Sequence, residues 1–122
     1  MYNLNTEREA PLQVRFYETQ MKNQPCRDFL LELNKEDRQE VGADIFSVQK
    51  GFPLGLPLCR KITKDLWEIR SDISDGICRV FFTVFDNTIV LLHGFIKKSQ
   101  RIPLEELEIA KSRLSSFKEQ NK

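Results

Sequence analysis

Residues 66–98 read LWEIRSDISDGICRVFFTVFDNTIVLLHGFIKK, and this stretch decides the fold. Its β-branched and aromatic residues predict three strands, over Leu66–Arg70, Ile77–Phe85 and Thr88–Ile96. The polar segment SDISDG separates the first two strands, and the tight turn Asp86-Asn87 separates the last two. Because connections this short join antiparallel neighbours, the stretch predicts an antiparallel meander.

The segments around the meander add one strand and three helices. Leu12–Glu18 alternates apolar and polar residues, as a half-buried strand does. Pro25 fits the first turn of a short helix, and a second helix over Lys35–Lys50 ends at Gly51. The Gly- and Pro-rich residues 51–57 predict a crossing loop, and Pro103 opens the last helix.

This order of elements predicts an α+β fold. We expect a small antiparallel sheet, mixed at its edge, with two N-terminal helices and a C-terminal helix. We also expect the helices to cover one face of the sheet and the opposite face to stay open.

Length and composition limit the classes of protein that are possible. A chain of 122 residues with 40% hydrophobic and 30% charged residues predicts one domain over residues 1–122, after a poorly ordered polar lead-in at residues 1–11. No apolar run approaches the roughly 20 residues that span a bilayer, and the N-terminus lacks the apolar core of a signal peptide. We therefore expect a cytoplasmic protein without membrane association.

Charge and cysteine content exclude further classes. The net charge of +1 gives no global attraction for nucleic acid, so an RNA site must be a local cluster. The three cysteines form no CxxC pair, and the single histidine leaves no zinc set. We expect no disulfide framework, no metal and no small-molecule cofactor.

Strand alternation groups the basic side chains of the meander. If the strand registers align, one basic surface holds the candidate catalytic residues Arg79, His93, Arg70 and Lys97. The candidate RNA-binding residues are Lys98, Arg101 and Lys61.

These residue types suit metal-independent cleavage of RNA. A base deprotonates the ribose 2′-OH, an acid protonates the departing 5′ oxygen, and cations stabilise the phosphorane. His93 is the only imidazole and exchanges protons near neutral pH, whereas Glu68 is the nearby carboxylate. The alternative is structural: His93 satisfies a hydrogen bond within the sheet, and the arginines pair with Glu68 or Asp72.

The motifs LWEIR, DGICRVFFTV and TIVLLHGFIKKSQRIPLEELEIAKSRL together closely resemble the phage-derived, HigB-like branch of the RelE/ParE toxin superfamily. They span about the C-terminal half of the chain. The resemblance implies a RelE-like fold and a toxin of a type II toxin–antitoxin system. It further implies a ribosome-dependent mRNA endoribonuclease neutralised by a helix-turn-helix, HigA-like antitoxin.

The resemblance also assigns roles to individual residues. Arg79 matches the strand arginine tied to phosphate stabilisation, and Lys97 and Lys98 match the basic pair after the last strand. The chain departs from the RelE pattern where Leu66 and Glu68 replace two lysines, and a tyrosine is missing from the last helix. This departure leaves the acid and base open and favours His93. We expect Arg79→Ala to fold normally and lose most toxicity.

Two other functions remain possible at this point. A ParE-like toxin that acts on a protein target such as DNA gyrase shares the fold. A phage-derived protein that binds a partner without catalysis is the third reading.

Overall fold

A computed structural model describes residues 10–97 and 101–122. Most of the expected lead-in, residues 1–9, lies outside the described residues. The elements are β1 (Gln13–Phe16), α1 (Pro25–Leu31), α2 (Lys35–Gly51), β2 (Cys59–Thr63), β3 (Leu66–Ile73), β4 (Gly76–Phe85), β5 (Thr88–Lys97) and α3 (Leu104–Gln120). No helix within the described ranges is long and apolar enough to cross a membrane.

The strands form one five-stranded sheet in the order β1-β5-β4-β3-β2. The predicted meander is confirmed, because β3, β4 and β5 pair antiparallel in sequence order. β1 pairs parallel to β5, which makes the sheet mixed at that edge, as expected. The turn residues Asp86 and Asn87 have φ values of 51° and 60°, the left-handed conformation that a two-residue hairpin turn needs.

β2 is an edge strand that the sequence analysis missed. Its sequence, CRKIT, is short and carries two cations, so neither alternation nor an apolar run marks it. It forms because β3 supplies an antiparallel partner, with Arg60 opposite Glu68. Charged side chains on an outer strand are a common protection against further strand pairing.

Helices cover both faces of the sheet, so the expectation of an open face is wrong. α1 and α2 pack over one face, where Val41 and Val48 meet Ile69, Val80 and Phe82. On the other face, Ala110, Leu114 and Phe117 of α3 pack against a second cluster that includes Phe81 and Val90. The reason lies in β4 and β5, whose central segments carry apolar side chains on both faces of the sheet. Burying both sets of side chains requires helices on both faces.

A β-bulge in β5 decides which way His93 points. Phe81 pairs with His93, whereas the next residue, Phe82, pairs with Leu91. One extra residue on β5 therefore separates the two pairs, and strand alternation is interrupted there. Leu91 belongs to the core under α1 and α2, whereas His93 contacts α3. Simple alternation, which would place residues two apart such as Leu91 and His93 on one side of the strand, fails at this position.

Candidate functional site

His93 lies where β5 meets α3, and both of its ring nitrogens have partners. Its Nε2 atom is 2.8 Å from Oε1 of Glu106, and its side chain is 12% exposed. Its Nδ1 atom is 3.2 Å from Nη1 of Arg113. The same Nη1 donates a hydrogen bond of 2.9 Å to the carbonyl oxygen of Leu92. The first turn and the middle of α3 thus hold the imidazole between a carboxylate and a guanidinium.

Two phenylalanine rings complete the surroundings of the imidazole. The ring of Phe81 is nearly parallel to that of His93, with 6.4 Å between their centroids, and that of Phe95 lies 5.9 Å away. Phe81 is fully buried, so it packs on the imidazole and is closed to an RNA base. The rings restrict water around His93 and fix the plane of the imidazole.

The environment lowers the pKa of His93 below its usual value of 6.5. Burial is the main cause, because it disfavours the charged imidazolium. The hydrogen bond to Glu106 opposes this effect, and the positive charge of Arg113 adds to it. His93 is therefore mostly neutral at pH 7, the state in which it can accept a proton.

Arg79 lies in an ion pair beneath the surface. It is fully buried, and its Nη1 atom is 3.3 Å from Oε2 of Glu68, which is also fully buried. Glu68 in turn accepts a hydrogen bond of 2.9 Å from Nε of Arg60 on β2. Arg79 therefore forms the ion pair with Glu68 that the structural alternative proposed. Arg79 lies on β4, next to the strand that carries His93, and its register partner there is Phe95 of β5.

The single basic surface that alternation predicted is not continuous. Arg70 is the register partner of Arg79, yet it lines a cavity of about 210 Å³ that also has Glu40, Asp44 and Asp72 in its wall. Three carboxylates beside one guanidinium make this cavity unfavourable for a phosphate group. Arg70 therefore lies among carboxylates, and its catalytic role stays a prediction.

The remaining candidates fall in different places. Lys97 ends β5, opposite Ile77, and is half-buried. Lys61 pairs with Trp67, and its Nζ atom lies 6.0 Å from the centre of that ring, so it belongs to the α1–α2 side of the sheet. Arg101 is exposed just before α3, and Lys98 lies outside the described residues.

The comparisons with known proteins agree with this fold. Residues 28–115 match the family model described as phage-derived protein Gp49-like. The chain belongs to the Gp49-like family. Among curated proteins, none matches it significantly.

The fold of this Gp49-like chain is similar to that of a chain in the crystal structure of the toxin–antitoxin complex RelBE2 of Mycobacterium tuberculosis. The TM-score is 0.54 at 17% sequence identity, and the match covers 76% of this chain and 99% of the other. An identity this low carries the fold alone. The predicted RelE-like α+β fold is confirmed.

Sequence reasoning missed two functional candidates in the Gp49-like chain, Glu106 and Arg113. They lie seven residues apart on α3, a spacing that places both on one side of the helix. That signal was available, but nothing in the sequence linked this side of α3 to His93. Only the packing of α3 on the sheet makes the link.

Within residues 10–97 and 101–122, no group of three His, Cys, Asp or Glu side chains is arranged to hold a metal ion. Burial raises the pKa of the Cys26 and Cys78 thiols to about 12, so neither is a thiolate nucleophile near neutral pH.

Proposed function

We propose that the chain is the toxin of a type II toxin–antitoxin system and a ribosome-dependent, metal-independent endoribonuclease that cleaves mRNA. The family match to phage-derived proteins and the likeness to a chain of a toxin–antitoxin complex support the toxin assignment. The motifs from Trp67 to Lys98, which resemble HigB-like toxins, support mRNA as the substrate.

One observation carries the proposal of catalysis. The only histidine of the chain is held at a mostly buried position between Glu106 and Arg113, and its pKa is lowered. A toxin that only blocks a protein target has no need of a preset proton acceptor.

The proposed reaction starts with proton transfer from the ribose 2′-OH to His93. The 2′ oxygen then forms a bond to phosphorus, and the bond from phosphorus to the 5′ oxygen breaks. The departing oxygen takes up a proton, and a 2′,3′-cyclic phosphate remains. Cations stabilise the charge on the phosphorane.

Lys97, Lys98 and Arg101 are the proposed contacts to the RNA backbone. Arg101 is exposed and Lys97 half-buried, so both are closer to solvent than Arg79. The charge of Arg79 is balanced by Glu68, and its proposed role in stabilising the phosphorane stays a prediction. We propose a helix-turn-helix, HigA-like antitoxin and the ribosome as partners.

Induced expression in a bacterial host tests the function. We expect growth arrest, together with new mRNA ends inside translated frames. His93→Gln, which cannot carry a proton near neutral pH, is expected to remove both effects, whereas Lys111→Gln, an exposed change on α3, retains them. Growth arrest with intact transcripts would instead indicate a protein target.

A binding role without catalysis is a second candidate, and the burial of Arg79 against Glu68 favours it. Under that reading, induction leaves growth unaffected, although the chain still binds its antitoxin. Purified protein added to translating ribosomes then leaves the mRNA uncut, and this result separates the two candidates.

A further inference from the structure

The contacts of His93 determine which of its nitrogens carries the proton. Arginine is only a donor, so the atom that faces Nη1 of Arg113 must be an acceptor. Nδ1 is therefore unprotonated. Nε2 then carries the hydrogen of the neutral ring and donates it to the carboxylate of Glu106 at 2.8 Å.

We propose that Glu106 and Arg113 are positioning residues that hold His93 as the Nε2–H tautomer and reserve Nδ1 as the atom that accepts the 2′ proton. This inference rests on the proposed function and extends it to two residues of α3. Both residues act through the imidazole, Glu106 at Nε2 and Arg113 at Nδ1, and neither is proposed to contact the RNA.

The geometry gives the two nitrogens different roles. Nη1 of Arg113 is shared between Nδ1, at 3.2 Å, and the carbonyl oxygen of Leu92, at 2.9 Å, so the guanidinium has a second acceptor besides Nδ1. The carboxylate of Glu106 lies 2.8 Å from Nε2, and in this proposal it stays on that nitrogen. In this proposal, the substrate hydroxyl takes the place of Arg113 at Nδ1.

Charge is balanced through the transfer. The 2′ proton moves to Nδ1, the electron pair of the O–H bond becomes the new bond to phosphorus, and the bond from phosphorus to the 5′ oxygen breaks. The departing 5′ oxygen takes a proton from water, and the hydroxide that remains takes the proton back from the imidazolium. The imidazolium that forms has its Nε2–H directed at the carboxylate of Glu106, which stabilises the positive charge. In the resting site, the guanidinium of Arg113 disfavours that same charge, so His93 begins neutral.

Among the described residues, α3 supplies two charged groups that shift the pKa of the imidazole. Glu106 and Arg113 provide these two opposing effects. β4 presents the apolar ring of Phe81, and β5 presents that of Phe95. The same two α3 side chains are therefore the ones to change.

The single histidine makes the test direct, because imidazole signals in an NMR spectrum of the full chain belong to His93 alone. Two-bond ¹H–¹⁵N spectra give its tautomer, and a pH titration gives its pKa. The variants are Glu106→Gln, Arg113→Gln and Arg113→Lys, with Glu105→Gln and Lys111→Gln as controls that remove the same charges from exposed positions of α3.

We expect the Nε2–H tautomer in the wild type. Glu106→Gln should lower the pKa of His93 by on the order of one pH unit, and Arg113→Gln should raise it by a similar amount. Arg113→Lys keeps the charge and should leave the pKa near the wild-type value, and both controls should do the same. The acidic limb of the pH profile of mRNA cleavage on ribosomes should move with each pKa.

Several results would overturn the inference. An Nδ1–H tautomer, or shifts in the controls as large as those in the Glu106 and Arg113 variants, removes the positioning role whatever the activity. If the acidic limb of the cleavage profile does not move with the pKa of His93 in the variants, His93 is not the proton acceptor. If the expected shifts occur and the wild type cuts no mRNA at any pH, the proposed function fails although the tautomer assignment stands.

Discussion

The buried pair of Arg79 and Glu68 predicts a stability effect that sequence reasoning did not. Both side chains are fully buried, with 3.3 Å between Nη1 and Oε2. Arg79→Met removes one charge, keeps an unbranched side chain and leaves the carboxylate of Glu68 in the protein interior. The expectation that an Arg79 variant folds normally is therefore revised.

The magnitude follows from the contacts that remain. Removing one partner of a buried ion pair commonly costs about 3–5 kcal/mol of unfolding free energy. Arg60 still holds Glu68 at 2.9 Å, so we expect the lower end of this range, about 3 kcal/mol. For a domain of this size, that loss lowers Tm by about 10 °C.

A double-mutant cycle measures the effect by urea unfolding of Arg79→Met, Glu68→Leu and the double variant. We expect each single change to be destabilising and the double variant to recover most of the loss, because two apolar side chains replace the pair. Arg60→Met is the matched control. Its side chain is 33% exposed, and we expect it to cost less than about 1 kcal/mol. An unchanged unfolding free energy in Arg79→Met, or additive single changes, would refute the reasoning.

Four further substitutions, one of them a control, test other parts of the fold. In Gly94→Ala, the new Cβ atom would lie 2.7 Å from the ring of Phe29, so we expect a loss of about 1–3 kcal/mol in unfolding free energy. Gly42→Ala is its control: it lies in α2 with nothing within 4 Å, and we expect a gain of up to about 1 kcal/mol. Asn34→Ala removes the side-chain acceptor at the start of α2 and should cost about 1 kcal/mol by the same assay. Because the pKa of His93 is lowered in the fold, the unfolded chain binds a proton at His93 more readily than the folded chain does. The stability that comes from the neutral imidazole is therefore fully present above pH 6.5. It is lost as the pH falls through the folded-state pKa. Thermal melts should show a slope over this range that His93→Gln reduces, and an unchanged slope would contradict the shift.

Much of the fold followed from local patterns. The meander, the helices that begin at Pro25 and Lys35 and the last helix lie within a few residues of their predicted limits. Alternation and helical periodicity depend on neighbours a few residues apart, so the sequence alone carries them. β2 was missed because its pairing with β3 stabilises a segment with weak local preference.

The candidate site depended more on the tertiary structure. The sequence by itself determined that His93 is the only imidazole and that it lies on a strand beside basic residues. The bulge in β5 and the packing of α3 on the second face decided that it meets Glu106 and Arg113, which are 13 and 20 residues further along the chain. The same packing buried Phe81, and strand pairing joined Arg79 to Glu68. The physical reason is that periodicity assigns a side chain to one side of its own element, whereas the partner on that side is set by how separate elements pack to bury their apolar surfaces.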